Sequence, residues 1–323
     1  MTNGGIAAER IRQAAVEGEI VPWQDVLHDG PVPHGLDDDA LREARARFIA
    51  GEQWGALEEV RAELAARDAA LEGTVGPVVL WFEHDLYDQL QLLQVLDRLR
   101  ERRGAGLEVE AVDAPTYLGL LGADVFRKLF DLRDDVPAEV FALASRAWAA
   151  FRSPDPTAIE DLLSGDTDAL PHLDAALRRH LEEFPSVGSG LSRSERQSLA
   201  AIAGGARTVR EAYHSAHHAR EDAVFLGDVA FLSLLRRLAE AREPLVRRPD
   251  GGALRPEGPG LFDAELELTD AGEAALAGTL DHVATNGLDR WLGGVHLEGR
   301  AVGWRWDPEA GRLTDGAGRG AAG

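Results

Sequence analysis

The chain has 323 residues, of which 45% are hydrophobic and 28% charged, so it can bury a substantial core and is long enough for two domains. No apolar run approaches the roughly 18 residues of a membrane-spanning helix, and no signal-peptide pattern begins the chain. We therefore expect a cytoplasmic location and no membrane partner. The absence of cysteine excludes disulfides, thiolate metal ligands and cysteine nucleophiles.

The formal net charge of -22 is unevenly distributed along the chain. Residues 1–186 carry 18 basic and 36 acidic side chains, whereas residues 187–323 carry 16 and 20. Because affinity for nucleic acid depends largely on cationic neutralisation of phosphates, the first part of the chain would repel it. In the second part the numbers of basic and acidic side chains are nearly equal, so a local basic surface is possible there.

The first 122 residues alternate between helical and strand patterns. In chain order they predict a helix from residue 6, a strand at 19–23, two helices within 37–71, a strand at 77–82, a leucine-spaced helix from 86 to 104 and a strand at 107–113. Alternating strands and helices are typical of a parallel sheet with helical crossovers. We therefore predict a Rossmann-like, mostly parallel α/β domain over residues 1–122.

The rest of the chain predicts two further regions. Residues 123–190 read as an all-helical connector that ends in a Ser/Gly linker. A capping box at Ser192–Glu195 then begins the third region, because the serine and the glutamate can satisfy each other's backbone N–H groups. Three helices at 193–203, 207–218 and 227–241 precede strands at 244–248 and 264–269, which flank a Gly/Pro-rich turn at 250–260. This order predicts a winged-helix-like domain over residues 191–323.

Two polar clusters follow predicted strands and are the main candidates for a site. One offers Asp25, His28 and Asp29, and the other offers Glu83, His84, Asp85 and Asp88. Since ligands of open α/β sheets bind at the carboxyl ends of the strands, the clusters are expected to share one site. We predict His28 and His84 as acid–base or ligand residues, with Asp25, Glu83 and Asp85 orienting them or holding a metal. The structural alternative is that Asp85 caps the following helix, with Asp88 in its first turn.

Further positions complete the predicted site. Thr2-Asn3-Gly4-Gly5 precedes a helix whose backbone amides could cradle a phosphate, although a simple turn is the alternative. The predicted ligand-binding residues are Asn3, Gly4, Trp23, Asp29, Asp88 and Gln89. In the C-terminal region His214, His217 and His218 could share a metal, and a solvated helix face is the alternative.

Three motifs occur in a fixed order: T-N-G at 2–4, PW-x-D-VLH-x-GPVP at 22–33 and W-x-E-HDL-x-D-Q-L at 81–90. Over roughly residues 2–125 they resemble the bacterial family known as domain of unknown function 1835. The rest of the chain is similar to the helical and winged-helix-like extension that accompanies that domain. Members usually begin with an apolar strand before T-N-G and carry an aspartate after it, whereas here only Met1 precedes Thr2 and Gly5 stands at the aspartate position. We therefore expect either a true start upstream of Met1 or the loss of that first strand. The resemblance implies a grouping and no particular activity.

We expect a cytosolic protein that binds a nucleotide or another phosphorylated small molecule and that hydrolyses it or transfers a group, with catalysis itself left open. A divalent metal such as Mg²⁺, Mn²⁺ or Zn²⁺ is the candidate cofactor. One alternative is a ligand-sensing transcriptional regulator, whose DNA contacts would come from Arg236, Arg237, Arg247 and Arg248. Another is a winged helix that binds a protein partner, which the acidic charge favours over DNA binding.

Overall fold

The computed structural model describes residues 1–254 and 260–315. The chain divides into two compact units. Unit 1 comprises residues 1–50 and 55–177, and unit 2 comprises residues 51–54 and 178–323. Residues 255–259 of the predicted Gly/Pro-rich turn and the last eight residues of the predicted C-terminal domain lie outside the described residues.

Unit 1 is mainly helical. Its helices are α1 (Gly5–Gln13), α2 (Asp38–Gly51), α3 (Leu57–Gly73), α4 (Leu86–Gly104), α5 (Ala123–Asp131), α6 (Ala138–Phe151), α7 (Thr157–Leu163) and α8 (Leu173–Leu181). The last residue of α2 and the last four residues of α8 are assigned to unit 2. Its strands are β1 (Gly30–Pro31), β2 (Val78–Leu80), β3 (Val109–Ala111) and β4 (Asp134–Asp135).

Helix α4 is central to unit 1 and shows why this segment becomes helical. Asp85 is its N-cap and accepts a hydrogen bond from the backbone N–H of Asp88, which would otherwise have no partner in the first turn. Leu90, Leu93 and Leu96 recur at spacings of three and are fully buried, so one face of the helix enters the core. The helix packs against α6.

The strands of unit 1 are short. β2 pairs in parallel with β3 from Val78–Val109 to Leu80–Ala111, and β4 pairs antiparallel with β3. Thr2 forms isolated parallel bridges to Pro22 on one side and to Trp81 on the other. The segments 1–3, 21–23 and 79–81 therefore run in the same direction.

The predicted fold class is wrong. About 48% of the chain is helical, and the strands form small separate sheets of two or three strands rather than an extended Rossmann-like parallel sheet. The apolar runs at 77–82 and 107–113 predicted longer strands than form, because periodicity cannot distinguish a short strand from an extended buried segment. Pro77 also lacks the N–H that a ladder requires, and the chain leaves the ladder after Leu80 to begin α4. The connector predicted as all-helical contains β4.

Unit 2 contains five further helices and six strands among its described residues. The helices are α9 (Arg193–Ala203), α10 (Val209–Tyr213), α11 (Asp228–Ala239), α12 (Asp270–Leu276) and α13 (His282–Asn286), and a π-helical turn covers His214–His218. The strands are β5 (Val246–Arg247), β6 (Glu267–Leu268), β7 (Leu288–Gly293), β8 (Val295–Gly299), β9 (Trp304–Asp307) and β10 (Arg312–Asp315).

In unit 2 several local features follow the sequence prediction. The predicted fold class, which included a winged-helix-like domain here, is nevertheless contradicted. Ser192 and Glu195 form the expected capping box at the start of α9. β5 pairs antiparallel with β6 through Val246–Leu268 and Arg247–Glu267. The antiparallel pairs β7–β8 and β9–β10 were not predicted. Among the described residues no helix is both long enough and apolar enough to cross a membrane.

Candidate functional site

The polar clusters of unit 1 lie at the ends of the aligned segments. Because 1–3, 21–23 and 79–81 run in parallel, their carboxyl ends lie on the same side, and each is followed by polar residues. Asn3 ends the first segment, Gln24 follows the second directly, and Glu83 follows the third after Phe82. The backbone N–H of Gln24 donates to the carbonyl oxygen of Asn3 at 3.2 Å, which ties two of these ends together.

Three carboxylates form the centre of the site. Glu83, Asp85 and Asp88 each present an oxygen within 4.8 Å of the others, and all three residues are buried. We call them the acidic triad. Within residues 1–254 and 260–315 no lysine, arginine or histidine forms an ion pair with any of them. The triad therefore gathers negative charge that no described cationic side chain offsets.

Neighbouring backbone and amide groups hold the triad in place. The N–H of Glu83 donates to Asp88 Oδ1 at 2.7 Å, and the N–H of Leu118 donates to Glu83 Oε1 at 2.6 Å. Asn3 Nδ2 donates to Asp88 Oδ2 at 2.9 Å. Gln89 Nε2 donates to the carbonyl oxygen of Glu83 at 2.7 Å and so supports the loop. Asn3, Asp88 and Gln89, all predicted as ligand residues, are thus brought together with the predicted Glu83 and Asp85.

Burial raises the pKa values of all three triad residues, and repulsion between the carboxylates adds to the rise for Asp85 and Asp88. Desolvation is the largest cause for all three residues, because a buried carboxyl group is more stable without its charge. It raises the pKa of Asp85 to about 7, and the charge of Glu83 adds to the effect. The pKa of Asp88 is raised well above its usual range, with Asp85 and Glu83 contributing after desolvation. These shifts favour the protonated form of the carboxyl groups when no cation is bound.

His84 lies between two members of the triad in the sequence and borders the site. Its ring centroid is 5.0 Å from that of Tyr117 and 5.8 Å from that of His172. Desolvation, followed by the charge of His172, lowers the pKa of His84 below its usual value. The shift favours the neutral form of the His84 imidazole, which is the form that can accept a proton. Sequence reasoning missed Tyr117 and His172, and no local pattern marks either residue.

Asp25 lies in a separate, fully buried ion-pair network. Arg45 donates to Asp25 Oδ1 from Nε at 3.0 Å and from Nη2 at 2.8 Å, and Arg67 Nη1 lies 3.7 Å from Oδ2. Arg67 also covers the ring of Trp23 at 4.0 Å, and Trp23 Nε1 donates to Gln94 Oε1 at 2.8 Å. The contacts of Asp25 and Trp23 are those of a packed interior. Their predicted catalytic and ligand roles stay predictions.

His28 and Asp29 are buried beside the same network. The ring centroid of His28 lies 6.2 Å from that of Tyr87, whose hydroxyl donates to the carbonyl oxygen of Asn3 at 3.2 Å. The carbonyl oxygen of Asp29 accepts a hydrogen bond from Arg45. Tyr87 therefore connects the first predicted cluster with Asn3 and, through Asn3, with the triad.

The beginning of α1 lies next to the triad because Asn3 contacts Asp88. Gly4 is the N-cap of this helix, and no side chain of the described residues caps it. The first N–H groups of such a helix are donors that an anion can use. Ile6 is 74% exposed and Leu120 is 75% exposed, although both are large and apolar. Leu120 lies two residues from Leu118, which donates to Glu83, so apolar surface adjoins the site.

The donors of the triad suit a hard divalent cation. Carboxylate oxygens are preferred ligands of Mg²⁺, Mn²⁺ and Ca²⁺, and Asn3 could add an amide oxygen after a side-chain flip. A bound cation would offset the repulsion within the triad and lower its pKa values. It would also attract phosphate oxygens, which the triad alone would repel.

The cationic and histidine candidates of unit 2 have protein partners. Arg236 Nη2 lies 2.7 Å from Glu52 and is largely buried, and Arg237 contacts the same carboxylate at 3.4 Å. Arg247 pairs with Glu267, and Arg248 pairs with Asp250. His217 is buried and its Nε2 accepts the N–H of Leu226, whereas His214 and His218 stack on the exposed side of the π-helical turn.

Comparisons with protein-family models, with curated proteins and with solved structures give no match for this chain. The resemblance stated from the sequence motifs stays a prediction. The site is therefore argued from its own geometry.

Proposed function

We propose that unit 1 binds a divalent cation at the acidic triad and, with that cation, a phosphorylated small molecule of the nucleotide class. The observation that carries this proposal is the meeting of three buried carboxylate oxygens within 4.8 Å. Buried charges are normally paired or coordinate a metal, because leaving them without compensation is costly. A cation supplies the compensation that the described side chains do not.

The surroundings of the triad support a phosphate-bearing ligand. The uncapped N-terminus of α1 offers backbone donors beside Asn3, and the helix dipole favours negative charge there. The exposed Ile6 and Leu120 offer apolar surface for the less polar part of a ligand, such as a base. Together these features favour a nucleotide over inorganic phosphate alone.

Hydrolysis or group transfer is the chemistry that this arrangement favours. A bound divalent cation stabilises charge on phosphoryl oxygens and activates water. Desolvation and the charge of His172 favour the neutral form of His84. Because His84 lies between Glu83 and Asp85 in the sequence, it is the residue of the site that we expect to accept a proton. Tyr117 lies against its ring and would orient it. The expected cytoplasmic location belongs to this proposal.

The first experiment is calorimetric titration of the full chain with Mn²⁺, Mg²⁺ or Ca²⁺ at about pH 8. We expect Asp88→Asn to weaken binding by about tenfold or more, because affinity at oxygen sites follows the number of charged ligands. Asp131→Asn is the matched control, since Asp131 is exposed and at the end of α5. Equal binding by both variants, or no binding by the unmodified chain, would contradict the cation site.

The second experiment tests the phosphorylated ligand. ADP is titrated with and without saturating Mn²⁺, and we expect measurable binding only with the cation. ADP binding of equal strength without Mn²⁺ would contradict the bridging role of the cation. Cation binding without any response to ADP would leave a metal site but remove the nucleotide from the proposal.

The DNA-binding alternative has less support. Each of its four predicted arginines is paired with a carboxylate, and the whole chain is strongly acidic. Phosphate contacts by these arginines would require breaking those pairs against long-range repulsion.

A further inference from the structure

A polar cavity within unit 2 has no role in the proposed chemistry of unit 1. It has a volume of about 340 Å³, which is in the range of small-ligand pockets. Its lining comes from three parts of unit 2: residues 187–188, residues 300–303 with Arg305, and residues 314–315, together with Asp281 at the start of α13. Arg300 and Arg305 are its cationic side chains.

Arg305 is held in the wall of the cavity by unusually long hydrogen bonds. Its side chain is only 12% exposed, yet Nη1 lies 3.4 Å from both the carbonyl oxygen of Ser186 and Asp281 Oδ1. Hydrogen bonds of this type are normally 2.7–3.2 Å long, so the guanidinium retains donor capacity. Gly190 makes room for the pair: it has φ +70, and a Cβ there would lie 2.3 Å from Asp281 Oδ1.

The carboxylates in the lining are already engaged. Asp281 accepts the N–H of Ala284 as the N-cap of α13 and pairs with Arg305 at 3.3 Å. Asp315 also takes part in an interaction and is not a free carboxylate. Neither carboxylate therefore needs a ligand to supply a hydrogen bond or an opposite charge.

What remains unused in the cavity is donor capacity. Among residues 1–254 and 260–315, the exposed Arg300 has no ion-pair or hydrogen-bond partner. The backbone N–H groups of Gly188 and Gly303 also donate no hydrogen bond to any described residue. Two arginines and two glycines with unused donors therefore belong to the lining of a single cavity. Arginine recognises planar or tetrahedral oxyanions through such paired donors.

We propose that this cavity is a binding site for a small oxyanion, either a phosphate or a carboxylate group of a ligand. Arg300 and Arg305 supply the charge, and the amides of Gly188 and Gly303 complete the donor set. Arg305 is a positioning residue as well, because it joins β9 to the cap of α13. The site is independent of the acidic triad, so either can fail without the other.

The test is calorimetric titration of the full chain with inorganic phosphate and, separately, with acetate at matched ionic strength. We expect Arg300→Gln to weaken binding of the preferred anion by about tenfold or more, because one charge-assisted interaction is lost. Arg312→Gln removes the same charge from an exposed arginine of β10 outside the cavity and should change binding by less than about twofold.

The outcomes are distinct. Binding of phosphate but not acetate supports the site and assigns a phosphate ligand, and the reverse assigns a carboxylate. No binding of either anion, or equal weakening by Arg300→Gln and Arg312→Gln, overturns the proposal. Arg300 has no described intramolecular partner, so its substitution should leave the fold intact, which near-ultraviolet circular dichroism checks. Unchanged phosphate binding by Asp88→Asn would confirm independence from the triad.

Discussion

Replacing Asp85 by asparagine should stabilise the metal-free protein above neutral pH. Asparagine is as good an N-cap as aspartate, so the hydrogen bond from the N–H of Asp88 to the side chain can be kept. The substitution removes one of three crowded negative charges. The helix start is therefore conserved while the repulsion is reduced.

The pH dependence follows from the sign of the pKa shift. In the folded protein the pKa of Asp85 is raised from its ordinary value of 3.8 to about 7. The folded state thus holds this proton more tightly than the unfolded state. The stabilisation that comes from the proton is fully present below about pH 4 and is lost as the pH rises through about 7. A shift of this size corresponds to about 4 kcal/mol in total, of which roughly 2–3 kcal/mol falls between about pH 5 and pH 8.

The assay is urea denaturation in EDTA at about pH 5 and at about pH 8. It compares the unmodified chain with Asp85→Asn and with the exposed control Asp131→Asn. The stability difference between Asp85→Asn and the unmodified chain should grow by roughly 2–3 kcal/mol from about pH 5 to pH 8. Saturating Mn²⁺ should reduce that difference, since the cation stabilises the ionised triad by mass action.

Two results would refute this reasoning. One is a stability difference that does not change with pH, which would mean that Asp85 is ionised at its ordinary pKa in the folded protein. The other is an equal pH dependence for Asp131→Asn, which would assign the effect to general charge rather than to the triad.

Three further predictions concern other parts of the chain. Arg45→Met should destabilise the fold by about 3–5 kcal/mol because it leaves Asp25 buried without its main partner, whereas Arg47→Met at an exposed ion pair should cost under about 1 kcal/mol in urea denaturation. Gly272→Ala should lower the melting temperature, since its Cβ would lie 2.0 Å from the carbonyl oxygen of Leu245; an unchanged melting temperature would contradict that close approach. Random duplex DNA should bind no tighter than about 10⁻⁶ M at physiological salt, and submicromolar binding in a fluorescence anisotropy assay would revive the regulator alternative.

Local signals in the sequence were enough to place several elements and part of the site. The N-cap at Asp85 and the leucine spacing behind it define α4, because capping and amphipathicity depend on residues within one or two turns. The capping box at Ser192–Glu195 is of the same kind. The concentration of carboxylates at 83–88 likewise indicated the acidic triad, since its three members lie within six residues of each other.

Only the tertiary structure decided which distant residues complete these elements. Leu118 holds Glu83, His172 approaches His84, and Arg45 neutralises Asp25, although nothing local to any of them signals its partner. The extent of the sheets was decided in the same way. An apolar run shows that a segment is buried, but whether it forms a long ladder depends on the backbone donors and acceptors that packing brings beside it, and here packing brings mainly helices.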